Sequence, residues 1–348
     1  MGPRILGLNK YNPSERSCSF DDSHDPCVPA QMWFQRDPNG CILFIVFYTE
    51  ACRWHRCLGC NLPSKMSSKH IGYRELMAQV DYVFEDEEVQ NSREKIKKVI
   101  VSNNGSVLDH VTFSSTALMY LLAKLNLNLP NLQVLSLETR PEFVEPVVLE
   151  FISRALREGM TPTNLEVAIG IEVMDPYIRN DIFHKGLKFQ TIEDFARMIS
   201  RYGYALKGYF MQKPVPGMTD KDAIHDIQQA IAYMDRIAEI YNIPVNLHLN
   251  PTYVSSGTVL EQAFLSGEYT PPRLIDVGRA VLSGKYTRIS IFIGLNDEGL
   301  AVSGGSFVRP GDEDILKALE EFNVSQDYEN LEDAVRRNDE SRRIHACA

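Results

Sequence analysis

From residue 42 onward this chain alternates strand-like apolar runs with segments of helical period, and that alternation leaves it few architectures. The runs read 42–48, 97–103, 132–138, 166–172, 205–211 and 245–250. Val167-Ala168-Ile169-Gly170-Ile171 is almost continuously apolar, as in a strand covered on both faces, whereas a sheet with one wet face would alternate. Helices are predicted near 72–90, 115–127 and 146–158. Two more carry start signals: Thr191 with Asp194 before the Ile192, Phe195, Ile199 stripe, and Thr219 with Asp222 before Ile224, Ile227, Ile231, Met234 and Ile237. Strand-then-helix units with right-handed crossovers curl into a barrel or part of one. The expected fold class is therefore α/β, a partial (β/α)6 TIM-like barrel over 42–255. An irregular segment, 1–41, precedes it, rich in Pro, Asn, Ser, Asp and Gly. A small extension, 256–330, follows with a seventh strand at 288–294, and a charged, frayed tail occupies 331–348.

The 348 residues are 44% hydrophobic, enough for one large barrel or two ordinary domains. The 36 basic and 46 acidic residues leave a net charge of −10, which argues against general affinity for nucleic acid or membrane, though not against a local basic groove. Seven cysteines, an odd number in no paired framework, indicate a reducing compartment. The N-terminus has no apolar signal core, and no apolar run approaches the roughly 20 residues that span a bilayer, so a soluble, cytoplasmic protein is expected.

Cys52, Cys57 and Cys60 fall within nine residues, directly after the first apolar run and hence at the carboxyl end of that strand. Three thiolates there suit a metal with one open position, such as an iron–sulfur cubane held by three cysteines. An open position marks chemistry rather than stapling. The alternative is a zinc knuckle with His55 as fourth ligand, which would be cramped, because zinc ligands usually come in two separated pairs. Cys18, Cys27 and Cys41 have no ligand spacing and read as ordinary thiols.

The combination resembles the radical S-adenosylmethionine enzymes. Their usual C-x3-C-x2-C loop follows the first strand of a partial barrel; here the spacing is C-x4-C-x2-C, with Gly59 where an aromatic residue commonly stands. Leu137-Glu138-Thr139-Arg140-Pro141 is similar to a signature of the Elongator-type branch, and Ile169-Gly170-Ile171-Glu172 to the fourth-strand motif near the adenine. Asn103-Asn104-Gly105-Ser106 sits where the second-strand motif holds the amino group of the methionine moiety. Later stretches, among them Asn180 to Gly186, Gly208 to Pro214, Asn250 to Val254, Gly267 to Pro272 and Phe322 to Asp327, resemble the radical subunit of archaeosine synthase and its relatives.

The resemblance implies a [4Fe–4S] cluster on Cys52, Cys57 and Cys60, S-adenosylmethionine as cosubstrate, and a 5′-deoxyadenosyl radical that takes hydrogen from a substrate. It implies an electron donor of flavodoxin or ferredoxin type, a partner subunit, and a tRNA-base adduct as substrate. A small molecule or peptide is the alternative substrate, and a non-catalytic zinc- or cluster-binding module the alternative class. Asn104, Gly105, Ser106, Glu138, Arg140 and Glu172 are the candidate cofactor contacts. Asn-Gly is also an ordinary turn signal, and Glu138 with Arg140 could be a rim ion pair. In the functional alternative the glutamate accepts from ribose hydroxyls or the amino group, and the arginine pairs with a carboxylate. Arg179, Lys185, Lys207 and Lys213 add charge at the same face, and Lys213, before Pro214, is the candidate substrate contact. His248 and Asn250 point into the barrel, or His248 is a satisfied core histidine.

Overall fold

Eight strands follow one another in sequence order across a single sheet. In this computed structural model, which describes residues 19–297 and 299–346, β1 (Gln31–Asp37) runs antiparallel to β2 (Gly40–Val46). From β2 onward, β3 (Ile96–Ser102), β4 (Val134–Thr139), β5 (Asn164–Glu172), β6 (Ala205–Gln212), β7 (Val245–Pro251) and β8 (Ser290–Ile293) are all parallel. The connections carry α1 (Tyr73–Glu85), α2 (Glu87–Ser92), α3 (Ser115–Asn128), α4 (Pro146–Leu156), α5 (Phe189–Ser200), α6 (Asp220–Tyr241), α7 (Val259–Leu265) and α8 (Leu274–Val281). Two helices follow the last strand, α9 (Glu313–Ser325) and α10 (Tyr328–Ala346). None of the helices among the described residues is long and apolar enough to cross a membrane.

The period-2 alternation of β2 divides the interior. Leu43 and Ile45 join Leu76, Val80 and Leu121 under the helices, while Ile42, Phe44 and Val46 meet Ile100 and Met66 on the opposite, inner face. Burying each such side chain contributes about 1.5–3 kcal/mol. Farther along the sheet the same inner face becomes polar, with Lys98, Glu166, Lys207 and His248 all buried. The α/β partial barrel is thus as expected, with a polar inner wall.

Four expectations need correction. The segment 1–41 is not wholly irregular, because Gln31–Asp37 is a strand paired along its length with β2. Residues 1–18, including Cys18, lie outside the described residues. Strand β8 belongs to the same sheet as the core, so a boundary at 255 cuts that sheet. The tail read as frayed begins as a packed helix, with Leu331, Ala334 and Val335 buried. Finally, α5 starts at Phe189, not after Thr191, because the Phe189 ring is already packed 5.2 Å from Tyr233 and under the Arg179 guanidinium at 4.2 Å. Thr219 does cap α6, its hydroxyl accepting from the Asp222 N–H at 3.1 Å.

Helix α9 packs against both β1 and β8, the two ends of the sheet. Its Asn323 amide accepts from the Ile293 N–H at 2.7 Å and donates to the Ile293 carbonyl at 2.8 Å. Gln326 does the same for Ile291, at 2.9 and 2.7 Å. Side-chain amides thereby satisfy backbone groups that an edge strand would otherwise expose. Asn323→Ala should cost about 1–3 kcal/mol, because it leaves a buried N–H and C=O unpaired. Urea unfolding checks this, and a loss below about 0.5 kcal/mol would show that the pair contributes little.

Candidate active site

Parallel strands bring all their carboxyl ends to one side, and the loop carrying Cys52, Cys57 and Cys60 leaves β2 there. It is pinned at several points. Gly105, beyond β3, has no side chain to hold it off, and a Cβ there would lie 3.2 Å from the Cys52 Cα. Arg53 donates to both carboxylate oxygens of buried Asp109, at 3.0 and 3.2 Å. The Leu58 N–H bonds the Phe183 carbonyl at 2.9 Å, and the Ser255 hydroxyl donates to the Gly59 carbonyl at 3.2 Å. Loops after β3, β5 and β7 therefore all touch this one segment.

Beneath it opens a cavity of about 910 Å³ lined by all three cysteines. Asn104, Gly105, Glu138, Arg140 and Glu172 line it too. Ser106 does not; it is buried, and its hydroxyl accepts from the Arg140 N–H at 3.1 Å, joining the β3 loop to the end of β4. Lys213 does not either. Its backbone adopts φ 61°, and its ammonium goes to Asp220 at 2.7 Å and Thr270 at 3.3 Å, away from the cavity. That placement leaves Lys213, the expected substrate contact, outside the cavity lining. Arg179 is fully buried and bonds the Leu187 and Val173 carbonyls, so it is a structural group.

Arg140 reaches the cavity wall with part of its guanidinium engaged. Nε donates to Glu142, and Nη1 and Nη2 both donate to the Lys185 carbonyl at 3.1 Å. Glu172, at φ 69° on a β-bulge, pairs with the Lys185 ammonium at 2.8 Å. Gly170 makes room for that pair, since a Cβ there would sit 2.2 Å from the glutamate oxygen. Burial works against the Lys185 charge, but Glu172 and then Cys57 hold its pKa above the ordinary value. Burial pushes the Cys57 thiol up.

Deeper in the chamber, Glu138 accepts a hydrogen bond from the Tyr209 hydroxyl. Burial raises its pKa despite the pull of Ser102, Tyr209 and Lys207. His248 stacks obliquely on Tyr209 at 4.6 Å and lines the same wall. Burial, then Lys207 and Lys98, keeps its pKa well below the histidine range, so it is neutral. On the floor, Lys98 reaches both oxygens of Glu166 at 2.8 and 2.9 Å, and Lys207 stands 3.8 Å away. Burial would raise Glu166, but the two lysines outweigh it and hold the group at about 2. Lys207 is brought down to about 8, first by burial and then by Lys98. Tyr209 and Trp54 were not singled out from the sequence. The signal for Tyr209 was its place on the inner face of β6 with Lys207 and Met211; for Trp54 no local signal existed.

Cys27, Cys41, Cys52, Cys57 and Cys60 are thiols rather than disulfides. Among the described residues, no three His, Cys, Asp or Glu side chains converge as a ready metal site. The three loop cysteines share a wall rather than a point. Near them two amide atoms, Asn103 Oδ1 and Asn104 Nδ2, are buried without a hydrogen-bond partner.

No family model matches the chain. An uncharacterised protein of Methanocaldococcus jannaschii is 26% identical over 88% of this chain and 84% of its own length. Archaeosine synthase subunit beta of Methanosarcina acetivorans is 28% identical over 71% of this chain and 68% of its own. The subunit of that name from Thermococcus kodakarensis is 24% identical over 84% and 88%. Among solved structures, Elp3 of Methanocaldococcus infernus aligns with TM-score 0.48 at 14% identity, covering 72% of this chain and 59% of that one. A queuine lyase from Clostridium spiroforme aligns with TM-score 0.45 at 16% identity, over 66% and 83%. The partial barrel with a cysteine loop after its first parallel strand matches the architecture that the resemblance to radical S-adenosylmethionine enzymes implies. Its sequence is similar to archaeosine synthase beta subunits over most of its length.

Glu166→Gln should cost about 3–5 kcal/mol at neutral pH, because it leaves two buried lysines without their counter-charge. A carboxylate whose folded pKa is depressed stabilises above its unfolded value of 4.5 and loses that contribution as pH falls through about 2. The difference in unfolding free energy between wild type and Glu166→Gln should therefore shrink from pH 4.5 downward. A difference constant with pH would rule out this ionisation.

Proposed function

We propose that Cys52, Cys57 and Cys60 hold a [4Fe–4S] cluster and that the enzyme works on a tRNA-base adduct, with S-adenosylmethionine as cosubstrate and a second subunit as partner. What carries the cluster assignment is the placement of the three thiols after the first parallel strand, all facing one cavity. The donor set fits: three thiolates are the ligands of a cluster that keeps one iron open. The ligand cradle beside them fits as well, since Gly105 admits a close backbone approach and the buried Asn104 amide has donors to give. Such a cluster, given one electron by a flavodoxin- or ferredoxin-like donor, supplies a 5′-deoxyadenosyl radical from S-adenosylmethionine.

The side chains divide the remaining work. Asn104 and Gly105 receive the amino-acid end of the cosubstrate. Glu138 sits where a carboxylate can accept from a hydroxyl or amine, with Tyr209 holding it in place. The Lys185–Glu172 pair sets the local field beside Cys57. His248, kept neutral, offers an acceptor that does not ionise. The enclosing loops exclude water, as a reactive radical requires.

The tRNA substrate and the partner subunit are supported by the names of the archaeosine synthase relatives, and a cytoplasmic location accords with them. A small-molecule or peptide substrate is the second possibility, favoured by the net charge of −10.

Protein prepared without oxygen should carry about four iron and four sulfide per chain, and Cys57→Ala should lose them. Stoichiometric zinc without sulfide would overturn the assignment in favour of a binding module. The isolated chain should bind tRNA weakly, and a more basic partner should restore binding that falls steeply with salt, as phosphate contacts release counterions. Salt-insensitive behaviour with every partner, together with substrate-dependent 5′-deoxyadenosine formation from a small molecule, would favour the second possibility.

A further inference from the structure

We propose that Trp54 is the positioning residue of the cysteine loop, fixing where Cys52 and Cys57 stand by clamping the span between them onto residues 184–186. Trp54 lies inside that span, and its indole makes two direct contacts with one short segment and a third through Arg140. The ring N–H donates to the His184 carbonyl at 2.8 Å. Gly186, at φ 66°, seats the ring edge, because a Cβ there would come within 2.4 Å of Cζ2 and Cη2. The Arg140 guanidinium lies 4.3 Å from the ring centroid and bonds the intervening Lys185 carbonyl through two nitrogens. Three consecutive residues are thus gripped by one indole and the arginine that covers it.

The segment so gripped is itself fixed. The Lys185 N–H bonds the Arg179 carbonyl at 2.9 Å, and the Lys185 ammonium pairs with Glu172. On the other side of Trp54, Arg53 reaches out to Asp109. The span is therefore held at adjacent residues from opposite directions, which a four-residue connection between two cysteines needs if it is to keep one shape. Arg140 contributes to this grip through the two donors it gives to the Lys185 carbonyl.

Placement of the thiols stands on this geometry alone, and its consequence for a cluster rests on the proposed function. The test is thiol labelling of the full chain as apoprotein, under reductant and without oxygen, with a short pulse of iodoacetamide and mass-spectrometric readout for each cysteine. Cys41, on β2 and outside the loop, is the internal reference. In Trp54→Ala, Cys52 and Cys57 should label roughly tenfold faster or more, the factor expected from losing one hydrogen bond and one cation–π contact that keep the loop closed. Trp54→Phe keeps the ring and loses the donor, so roughly a threefold rise is expected. Gly186→Ala, with Trp54 intact, should behave like Trp54→Ala because the new Cβ displaces the ring. After anaerobic reconstitution, Trp54→Ala should hold less iron and sulfide than wild type and give an altered electron paramagnetic resonance signal.

Unchanged labelling of Cys52 and Cys57 in Trp54→Ala, or acceleration of Cys41 by the same factor in all three variants, would overturn the proposal; the second outcome would make Trp54 a general stabilising residue. Faster loop labelling in variants of a wild type that takes up no iron or sulfide would uphold the positioning role and refute the cluster.

Discussion

Glu166 lies inside the sheet with Lys98 and Lys207 beside it, and this buried triad ties β3, β5 and β6 together where water cannot replace a lost partner. Isolated buried charges are costly, so each lysine holds the carboxylate ionised and the carboxylate keeps both cations tolerable. The layer above inherits the field this creates. Lys207 draws on Glu138 from below and helps keep His248 neutral. Depth in the barrel thus orders the polar groups: fixed charges on the floor, then a tyrosine–glutamate bond and a neutral imidazole, then thiols at the rim.

At the rim, position depends on packing rather than on charge. Glycines at 105 and 186 let the cysteine loop come down onto its neighbours, and arginines at 53 and 140 hold it from two sides. The loop makes few bonds within itself and many to segments after other strands. Its shape is therefore a property of the whole carboxyl face.

Much of this was legible in the sequence. Near-continuous apolar runs identified the parallel strands, because such strands are covered on both faces, and the three cysteines announced their own face by following the first of them. β1 was missed because its alternation is broken by Gln31, Gln35 and Arg36; yet Pro38-Asn39-Gly40 at its end is a hairpin signal, with Asp37 accepting from the Asn39 and Gly40 N–H groups at 2.8 and 3.2 Å. Side-chain direction was harder to read. Ser106 and Lys213 lie in the right loops but turn from the cavity, one to a backbone N–H and the other to Asp220. Arg140 lines the cavity, but the Lys185 carbonyl that takes two of its donors comes from a segment more than forty positions away, which local pattern cannot foresee.

The joint between α9 and β8 is a matter of matched lengths. Asn323 in α9 and Gln326 at its C-cap are three residues apart, a rise of about 4.5 Å for a continuing helix. Their targets, Ile293 and Ile291, are two residues apart on a strand, about 6.6 Å. The roughly 2 Å mismatch is taken up by the extra methylene of the glutamine and by the left-handed turn at Gln326, φ 54°. The two amides act as a vernier between scales that do not divide evenly. Exchanging them would keep every donor and acceptor yet leave one arm too long and the other too short, so this helix can meet this strand in one register alone.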